Sequence, residues 1–288
     1  MTPHDYRSFL ANCLREAATI ARRMADTSAV GAEVKADDPN QVVTPADLAI
    51  GQQLITRIRE SFPEDSILDE ETGPHHGNTP VTWIIDPLDG TSNYAAGSPL
   101  YGVIVAAIDA RGPVAGGIAL PAFDETYLAV RGHGAHLNGR ALASLGRTPA
   151  HRSLVAHGLD KGSGRELATE ARLVAALTAR VQGVRMSNSV FDACQVARGI
   201  YGSYSHRKCR IWDIAAATCL INEVGGVATD LEGHPLDLTH PLDQAHRDFE
   251  VCLASPLVHP AVMSAAAQAL SDTSSVSVML APSGGEEL

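Results

Sequence analysis

The sequence predicts a layered α/β fold in which two lobes share one cleft. Its first half is typical of two helices followed by a run of antiparallel strands, and its second half alternates strands with helices. The length of 288 residues, 45% of them hydrophobic, is sufficient for two lobes with a substantial core. We expect the lobes to cover residues 1–145 and 146–270. Residues 271–288 are rich in Ser and Gly and are expected to form a disordered tail.

Two helices are predicted near the start of the chain. The first covers residues 5–25, where one face is apolar at helical spacing and carries Phe9, Leu10, Cys13, Ala17, Ile20 and Met24. The second follows a polar loop or hairpin at residues 31–41. Thr44 suits its N-cap, Pro45 its first turn and Asp47 its third position, and Pro63 ends it.

Apolar runs separated by turn residues predict the strands. In the first half they are residues 66–69, 81–86, 101–109, 114–122 and 125–132, with a polar loop at residues 74–80. Asn138-Gly139 predicts a hairpin turn. In the second half, strands are expected at residues 153–158, 184–188, 200–206, 227–231 and 249–255. Helices are expected between them at residues 165–181, 189–199 and 213–226, and at the end at residues 259–271.

Composition restricts the partners. A net charge of −11 and a pI near 5.5 disfavour binding to nucleic acid polymers or anionic membranes. Five cysteines, an odd number without a C-x-x-C pair, predict reduced thiols. The charged, helical start of the chain and the lack of a long apolar run favour a soluble, cytoplasmic protein without a membrane span.

The segment WIIDPLDGTSNY, residues 83–94, predicts a metal site. We expect a strand to end at Asp86, where Pro87 fixes φ and Gly90 permits a turn. The two carboxylates of Asp86 and Asp89, with the Leu88 carbonyl, would then converge on one point. Such oxygen ligands suit Mg²⁺. The alternative is a surface turn in which Asp86 caps the chain and Asp89 is solvated.

Other acids follow the ends of predicted elements. Glu70 and Glu71 follow the strand at residues 66–69, and Asp213 begins the helix at residues 213–226. Each has a simpler interpretation, because Asp213 suits an N-cap, Asp47 a capping box with Thr44, and the glutamates an exposed loop. Their joint occurrence around one cleft favours the metal site.

The chain resembles the inositol monophosphatase-like phosphatases, which are Mg²⁺-dependent and Li⁺-sensitive. WIIDPLDGTSNY is accompanied, in the family's order, by VVTPAD, ILDEE, WDIAAA and EVGGVATDLEG. The resemblance implies an αβαβα sandwich and commonly a homodimer. It implies hydrolysis of a small phosphate monoester by metal-activated water, without an enzyme nucleophile.

The resemblance also implies roles for individual residues. Two or three Mg²⁺ ions would be held by Glu70, Asp86, the Leu88 carbonyl, Asp89 and Asp213. Thr91, hydrogen-bonded to Asp47, would orient the attacking water, with Glu70 also in the catalytic set. We expect the substrate to contact Asp89, Gly90, Thr91, Ser189 and Asp213. We also expect it to contact the cations His206, Lys208 and Arg210, because their segment runs directly into Asp213 and should line the cleft. The backbone N–H groups of Gly90 and Thr91 would cradle the phosphate.

The substrate half departs from the family pattern. Asn188-Ser189-Val190 stands where Gly-Ser-Ala is common, and His206 stands where inositol-type members carry a glutamate. If the segment is extended, His206, Lys208 and Arg210 share a face opposite Arg207 and Cys209. These cations would contact a second anionic group, or they are solvated surface charges.

Several substrates therefore stay open. A sugar, cyclitol or related metabolite phosphate is the first expectation. A 3′-phosphonucleotide of the 3′-phosphoadenosine 5′-phosphate type, a bisphosphate or histidinol phosphate is the alternative. A non-enzymatic relative that binds a metabolite or a partner is a third, which the retention of every motif residue disfavours.

Overall fold

The computed structural model describes residues 2–25, 31–34 and 42–271. The helices are α1 (Pro3–Ala25), α2 (Pro45–Ser61), α3 (Thr91–Ala95), α4 (Gly164–Thr178), α5 (Phe191–Ala197), α6 (Ile211–Glu223) and α7 (His259–Ser271). Ser271 closes α7, and the rest of the predicted tail lies outside the described residues, as does most of the polar segment at residues 31–41.

The strands form two large sheets and one short pair. The short pair joins β1 (Glu33–Val34) and β2 (Val42–Val43). The first large sheet contains β3 (Ser66–Asp69), β4 (Gly73–His75), β5 (Thr82–Asp89), β6 (Gly102–Asp109), β7 (Gly112–Leu120), β8 (Glu125–Val130), β9 (Ala135–Leu137) and β10 (Arg140–Ala141). The second contains β11 (Leu154–His157), β12 (Gly183–Arg185), β13 (Tyr201–Cys209), β14 (Val227–Thr229) and β15 (Phe249–Ala254).

The eight-stranded sheet has the order β10-β9-β8-β7-β6-β5-β3-β4. Its pairs are antiparallel, as predicted, except that β3 and β5 run parallel. Parallel strands bring their carboxyl ends to one edge, so the residues that follow β3 lie beside the end of β5. The Glu70 amide accordingly donates to the Ile85 carbonyl at 3.1 Å.

The five-stranded sheet has the order β12-β11-β13-β15-β14. Strand β11 is parallel to both β12 and β13, whereas β15 is antiparallel to both of its neighbours. The carboxyl ends of β11 and β13 therefore lie together. One continues into the loop at residues 158–163, and the other carries His206.

Side chains on the two faces of each sheet enter different cores. Trp83 and Ile85 of β5 pack with α1 and α2, whereas Ile84 between them packs with α5, α6 and the inner face of the second sheet. The outer face of the second sheet, which includes Val155, packs against α4 and α7. This alternation is the period of two expected of strands. It confirms the predicted αβαβα sandwich.

Small residues let α6 lie close to the first sheet. A Cβ atom on Gly116 of β7 would lie only 2.8 Å from the Ala216 Cα atom. Ala215, Ala216 and Ala217 are all buried on this helix. The central core is shared by both sheets, and the division into lobes at residue 145 stays a prediction.

Three local predictions need correction. Gly73–His75 forms strand β4 at the sheet edge rather than a loop from residue 74, because it pairs with Ile67–Asp69. Strand β5 continues to Asp89 instead of ending at Asp86. Helix α6 begins at Ile211, so Asp213 occupies its third position rather than its N-cap.

Other predictions hold. Thr44 caps α2 in a capping box with Asp47. Asn138 and Gly139 both have positive φ, 48° and 77°, in the β9–β10 turn. All five cysteines are buried free thiols. Within the described part of the chain, none of the helices has the length and apolar character needed to cross a membrane.

Candidate active site

A cleft of about 460 Å³ opens where the carboxyl ends of β3, β5, β11 and β13 meet the first turns of α3 and α6. Its lining includes every residue predicted for the site except Asp47: Glu70, Asp86, Leu88, Asp89, Gly90, Thr91, Ser189, His206, Lys208, Arg210 and Asp213. Asp47 lies directly behind this lining, in contact with Thr91. The structure thus brings the predicted set together around one space.

Three carboxylates form the floor of this cleft. Asp86, Asp89 and Asp213 each offer an oxygen atom within 4.8 Å of the other two. From the sequence, Asp86 and Asp89 were expected to converge because a strand would end at Asp86. Instead, the pairing register of β5 with β6 shifts between these two residues. Such an irregularity re-aims side chains within a strand and accounts for the convergence.

Burial and mutual repulsion destabilise the charged form of this cluster. Asp86 is only 1% exposed, and burial followed by the charges of Glu70, Asp89 and Asp213 raises its pKa well above the usual range. Burial likewise raises the pKa of Asp213 well above that range and the pKa of Asp89 to about 6. Carboxylates arranged in this way suit a hard divalent cation, because its charge would compensate their repulsion. The donor set therefore fits Mg²⁺.

Backbone amides fix the orientation of the three carboxylates. The Leu88 N–H donates to Asp86 Oδ1 at 3.0 Å, and the Arg210 N–H donates to Asp213 Oδ2 at 2.6 Å. Asp89 Oδ2 accepts from the Val190 N–H, across the cleft from its own strand. Asp213 thus caps the start of α6 as its N3 residue and also contributes an oxygen atom to the cluster. Asp89 is half-buried and bonded, which excludes the simple solvated turn.

A hydroxyl stands beside the acids. Thr91 Oγ1 lies 3.1 Å from Asp47 Oδ1 and 2.8 Å from the Leu88 carbonyl oxygen. The second oxygen of Asp47 accepts from the Thr44 N–H at 2.8 Å. Burial raises the pKa of Asp47. The capping box of α2 therefore also anchors the hydroxyl that faces the cluster.

Gly90 makes the turn into α3. Its φ is 79°, in the left-handed region that favours glycine. A Cβ atom there would lie 2.9 Å from the Leu100 carbonyl oxygen and 3.3 Å from the Ser189 Cβ atom. Glycine is needed here both for conformation and for space. Because Gly90 has no side chain, the backbone of Gly90 and Thr91 is left open to the cleft.

The opposite wall of the cleft contains the basic segment, residues 206–210. Each cation of this segment has an acidic partner. His206 Nε2 lies 2.9 Å from Asp160 Oδ2, Lys208 pairs with Glu166, and Arg210 lies 3.1 Å from Asp248. Arg207 points the other way, to Glu170 and Glu250. The predicted alternation fails at Cys209. The register of β13 shifts between His206 and Cys209, and the Cys209 sulfur contacts His206 Nδ1 at 3.3 Å.

Several lining residues were not predicted for the site. They are Asp160, Lys161, Asn188, Tyr204, Trp212 and Asp248. A signal for the first two exists in the sequence, because a charged pair in a glycine-containing loop directly follows a buried strand. Asn188 differs from the common family residue, which was the signal for it. Asp248 gives no such signal, since it reaches the cleft by its partnership with Arg210.

Comparisons with known proteins agree with this geometry. The model of the inositol monophosphatase family matches residues 4–270. The "fructose-1,6-bisphosphatase/inositol-1-monophosphatase" of Aquifex aeolicus is 30% identical over 208 residues, 71% of this chain and 78% of that protein. The "Nus factor SuhB" of Salmonella typhimurium is 31% identical, covering 80% of this chain and 86% of that protein.

A solved structure shares the fold. The extragenic suppressor protein suhB from Bartonella henselae superposes with a TM-score of 0.80 at 24% identity, over 90% of this chain and 97% of that one. At this identity the likeness establishes the fold alone, and the family follows from the sequence match over nearly the whole chain. The chain belongs to the inositol monophosphatase family.

Proposed function

We propose that this protein is a Mg²⁺-dependent phosphatase that hydrolyses a small sugar or cyclitol monophosphate. Membership of the inositol monophosphatase family supports a phosphatase of small phosphate esters. One observation carries the proposal. The cluster of buried Asp86 with half-buried Asp89 and Asp213 lies on the floor of a cleft that also contains Thr91, whose hydroxyl contacts Asp47.

The acid cluster is the proposed metal site. Asp86, Asp89 and Asp213 would hold Mg²⁺, together with Glu70 and the Leu88 carbonyl, which line the same space. Bound Mg²⁺ would lower the pKa of a water molecule and neutralise charge on the phosphate. We infer two or three ions from the family resemblance.

Thr91 and the turn before it would handle the water and the phosphate. The Thr91 hydroxyl, with Asp47 and the Leu88 carbonyl as competing acceptors, would orient the attacking water. The backbone N–H groups of Gly90 and Thr91 would contact phosphate oxygens. No side-chain nucleophile is required by this arrangement.

The paired charges of the opposite wall favour a neutral leaving alcohol. Paired carboxylates and cations still have free lone pairs and N–H groups that can bond to hydroxyl groups of a substrate. Their charges largely cancel, so they would attract a second anionic group only weakly. Within the described residues, Lys161 is the lining cation without a carboxylate partner, and it supports a second candidate. That candidate is a substrate with a second anionic group, as in the bisphosphatase activity named for the Aquifex relative.

The partners follow the same proposal. We propose a small phosphorylated metabolite as ligand, a cytoplasmic location, and a homodimer, which light scattering would test. An exposed aromatic side chain supports the last point, since Phe123 is 40% exposed and aromatic residues are enriched at protein–protein interfaces. The SuhB names of relatives keep a non-enzymatic, partner-binding role as an alternative, and the net charge of −11 disfavours direct contact with a nucleic acid polymer.

Phosphate release from the full chain tests the proposal. The substrates are cyclitol, sugar, amino-alcohol, 3′-nucleotide and bisphosphate esters, each with Mg²⁺ and with EDTA. We expect Mg²⁺-dependent turnover of a sugar or cyclitol ester, abolished by Asp89→Asn and inhibited by Li⁺. Turnover that is equal in EDTA, or absent for every ester, would refute it. Strong preference for a doubly anionic ester, lost in Lys161→Ala, would favour the second candidate.

A further inference from the structure

The backbone at Asn188 is left-handed, with φ at 50°. Glycine tolerates this region best and asparagine tolerates it better than most residues. Asparagine therefore accepts this backbone and, unlike glycine, adds a side-chain amide at the rim of the cleft.

The amide pairs with both backbone groups of one residue in the opposite loop. The Leu159 N–H donates to Asn188 Oδ1 at 2.9 Å, and Asn188 Nδ2 donates to the Leu159 carbonyl at 2.7 Å. Asn188 Nδ2 also lies 3.3 Å from Asp160 Oδ1. The Asn188 amide thus makes the two hydrogen bonds that a neighbouring strand would make to Leu159. These bonds fix the position of the residue before Asp160.

Asp160 in turn contacts His206. Their Oδ2 and Nε2 atoms are 2.9 Å apart, and His206 Nδ1 lies 3.3 Å from the Tyr204 hydroxyl. The His206 side chain is only 13% exposed, whereas that of Asp160 is 43% exposed. Both line the cleft. Of this pair, Asp160 is therefore the residue that a ligand in the cleft can reach, and the His206 imidazole holds its carboxylate in place.

The same segment is tied to the phosphate end of the cleft. Asn93, two residues after Thr91, donates from Nδ2 to the Ser187 carbonyl at 2.7 Å. The Val190 N–H donates to Asp89. Asn188 lies between Ser187 and Val190, the two residues that make these contacts. The position of Asp160 is therefore fixed relative to the acid cluster.

We propose that Asn188, Asp160 and His206 form the unit that selects the leaving alcohol of the proposed phosphatase. Asp160 contacts the substrate, and a carboxylate with two oxygens accepts hydrogen bonds from two neighbouring hydroxyl groups. His206 orients and partly neutralises that carboxylate. Asn188 is a positioning residue that holds the loop. The unit fits an alcohol with vicinal hydroxyl groups, and this inference rests on the proposed function.

The chain offers a matched control for Asn188. Asn138 has nearly the same backbone, φ 48°, and also bridges two backbone groups, the Thr126 N–H at 2.8 Å and the Asp124 carbonyl at 2.9 Å. It lies in the β9–β10 hairpin, outside the lining of the cleft. Asn188→Gly and Asn138→Gly therefore remove the same group from the same conformation at two places.

The test compares KM and kcat for myo-inositol 1-phosphate and glucose 1-phosphate with those for p-nitrophenyl phosphate, whose leaving group has no vicinal hydroxyls. Asn188→Gly, Asp160→Ala and His206→Gln should lower kcat/KM for the polyol esters about tenfold more than for p-nitrophenyl phosphate, mainly through KM. Asn138→Gly should leave this ratio at the wild-type value. Ratios that stay at the wild-type value in all three cleft variants would overturn the proposal.

Hydrogen exchange gives a readout that does not depend on turnover. Asn188→Gly should accelerate exchange of the Leu159 amide, and Asn138→Gly that of the Thr126 amide instead. An unchanged Leu159 amide would overturn the positioning role. If the wild type releases no phosphate from any ester with Mg²⁺, the proposed function fails and the selecting role fails with it. Turnover of all esters without discrimination overturns the selecting role alone.

Discussion

Thr91 Oγ1 lies 3.1 Å from Asp47 Oδ1, although the two residues belong to different helices 44 positions apart. The same hydroxyl is 2.8 Å from the Leu88 carbonyl oxygen. A hydroxyl has one proton and donates it to one acceptor at a time, so its lone pairs are left for a donor on the cleft side. A water molecule is the donor that the proposed reaction requires.

Replacing Thr91 should affect turnover more than binding. Thr91→Ala should lower kcat by about 10²–10⁴-fold with a smaller change in KM, because it removes a group that positions the nucleophile. Thr91→Ser should retain most of the activity. Steady-state kinetics in saturating Mg²⁺ measure both. Ser92→Ala removes an exposed hydroxyl from the next residue and should behave as wild type; equal kcat in Thr91→Ala would exclude the assigned role.

The acid cluster should destabilise the metal-free protein. Asp86→Asn removes one of several repelling charges, so its melting temperature in EDTA should exceed that of the wild type. Mg²⁺ should raise the melting temperature of the wild type by binding the native state, and should raise that of the variant less. Thermal unfolding followed by circular dichroism measures this.

Asp124→Asn is the control for the cluster, because its side chain is 96% exposed and lies outside the cleft lining. It should respond to Mg²⁺ as the wild type does. An equal Mg²⁺ shift in Asp86→Asn and wild type would contradict the metal site.

Two glycines separate backbone strain from a clash. Gly90 and Gly97 have φ of 79° and 76°, but only a Cβ at Gly90 meets an atom within 4 Å, the Leu100 carbonyl oxygen at 2.9 Å being nearest. Gly97→Ala should cost about 1 kcal/mol of unfolding free energy. Gly90→Ala should cost more and should also reduce phosphatase activity. Urea unfolding and kinetics measure the two effects, and equal costs would show that the close approach is relieved without penalty.

Asp192 should make stability depend on pH. It is fully buried, its Oδ2 accepts from the Ser187 N–H at 3.2 Å, and its Oδ1 has no hydrogen-bond partner among the described residues. Burial raises its pKa to about 6. The folded state therefore binds the proton more tightly than the unfolded state, and its contribution to stability falls as pH rises from about 4 to about 6.

Asp192→Asn should remove the loss of stability that the wild type shows as pH rises from about 4 to about 6. At pH 7.5 the variant should exceed the wild type by about 1–3 kcal/mol in unfolding free energy, since about two pKa units correspond to about 3 kcal/mol. Near pH 4 the two should be equal. Urea unfolding at both pH values measures the difference, and a constant difference across this range would be incompatible with the buried charge.

Much of the fold could be predicted because its signals are local. The apolar stripe of α1, the Thr44 cap and the Asn138-Gly139 turn each lie within a few residues of what they determine. The extent of β5 could not be predicted in this way. Pro87 suggested a strand end, but β5 pairs with β6 on both sides of the irregularity and continues to Asp89. That pairing is a long-range property.

The same distinction applies to the site. The acids that follow strands were predictable, because an acid at a strand end is visible in one segment. The unit formed by Asn188, Asp160 and His206 was not, because it joins residues 28 and 46 positions apart through side-chain contacts. The ion pairs that neutralise Lys208 and Arg210 were missed for the same reason. A sequence shows the cations but not their partners.

The two halves of the cleft differ in how they are built into the molecule. Asp86 and Asp213 lie on β5 and α6, whose side chains form the central core, so few substitutions there would be tolerated. Asp160 lies on an exposed loop, which the Asn188 amide and the His206 imidazole hold through side-chain contacts. We therefore expect the alcohol preference to change in evolution by single substitutions at residues 158–163 and 188, while the acid cluster stays constant. Laboratory selection for a new phosphate ester should recover its first mutations in these segments.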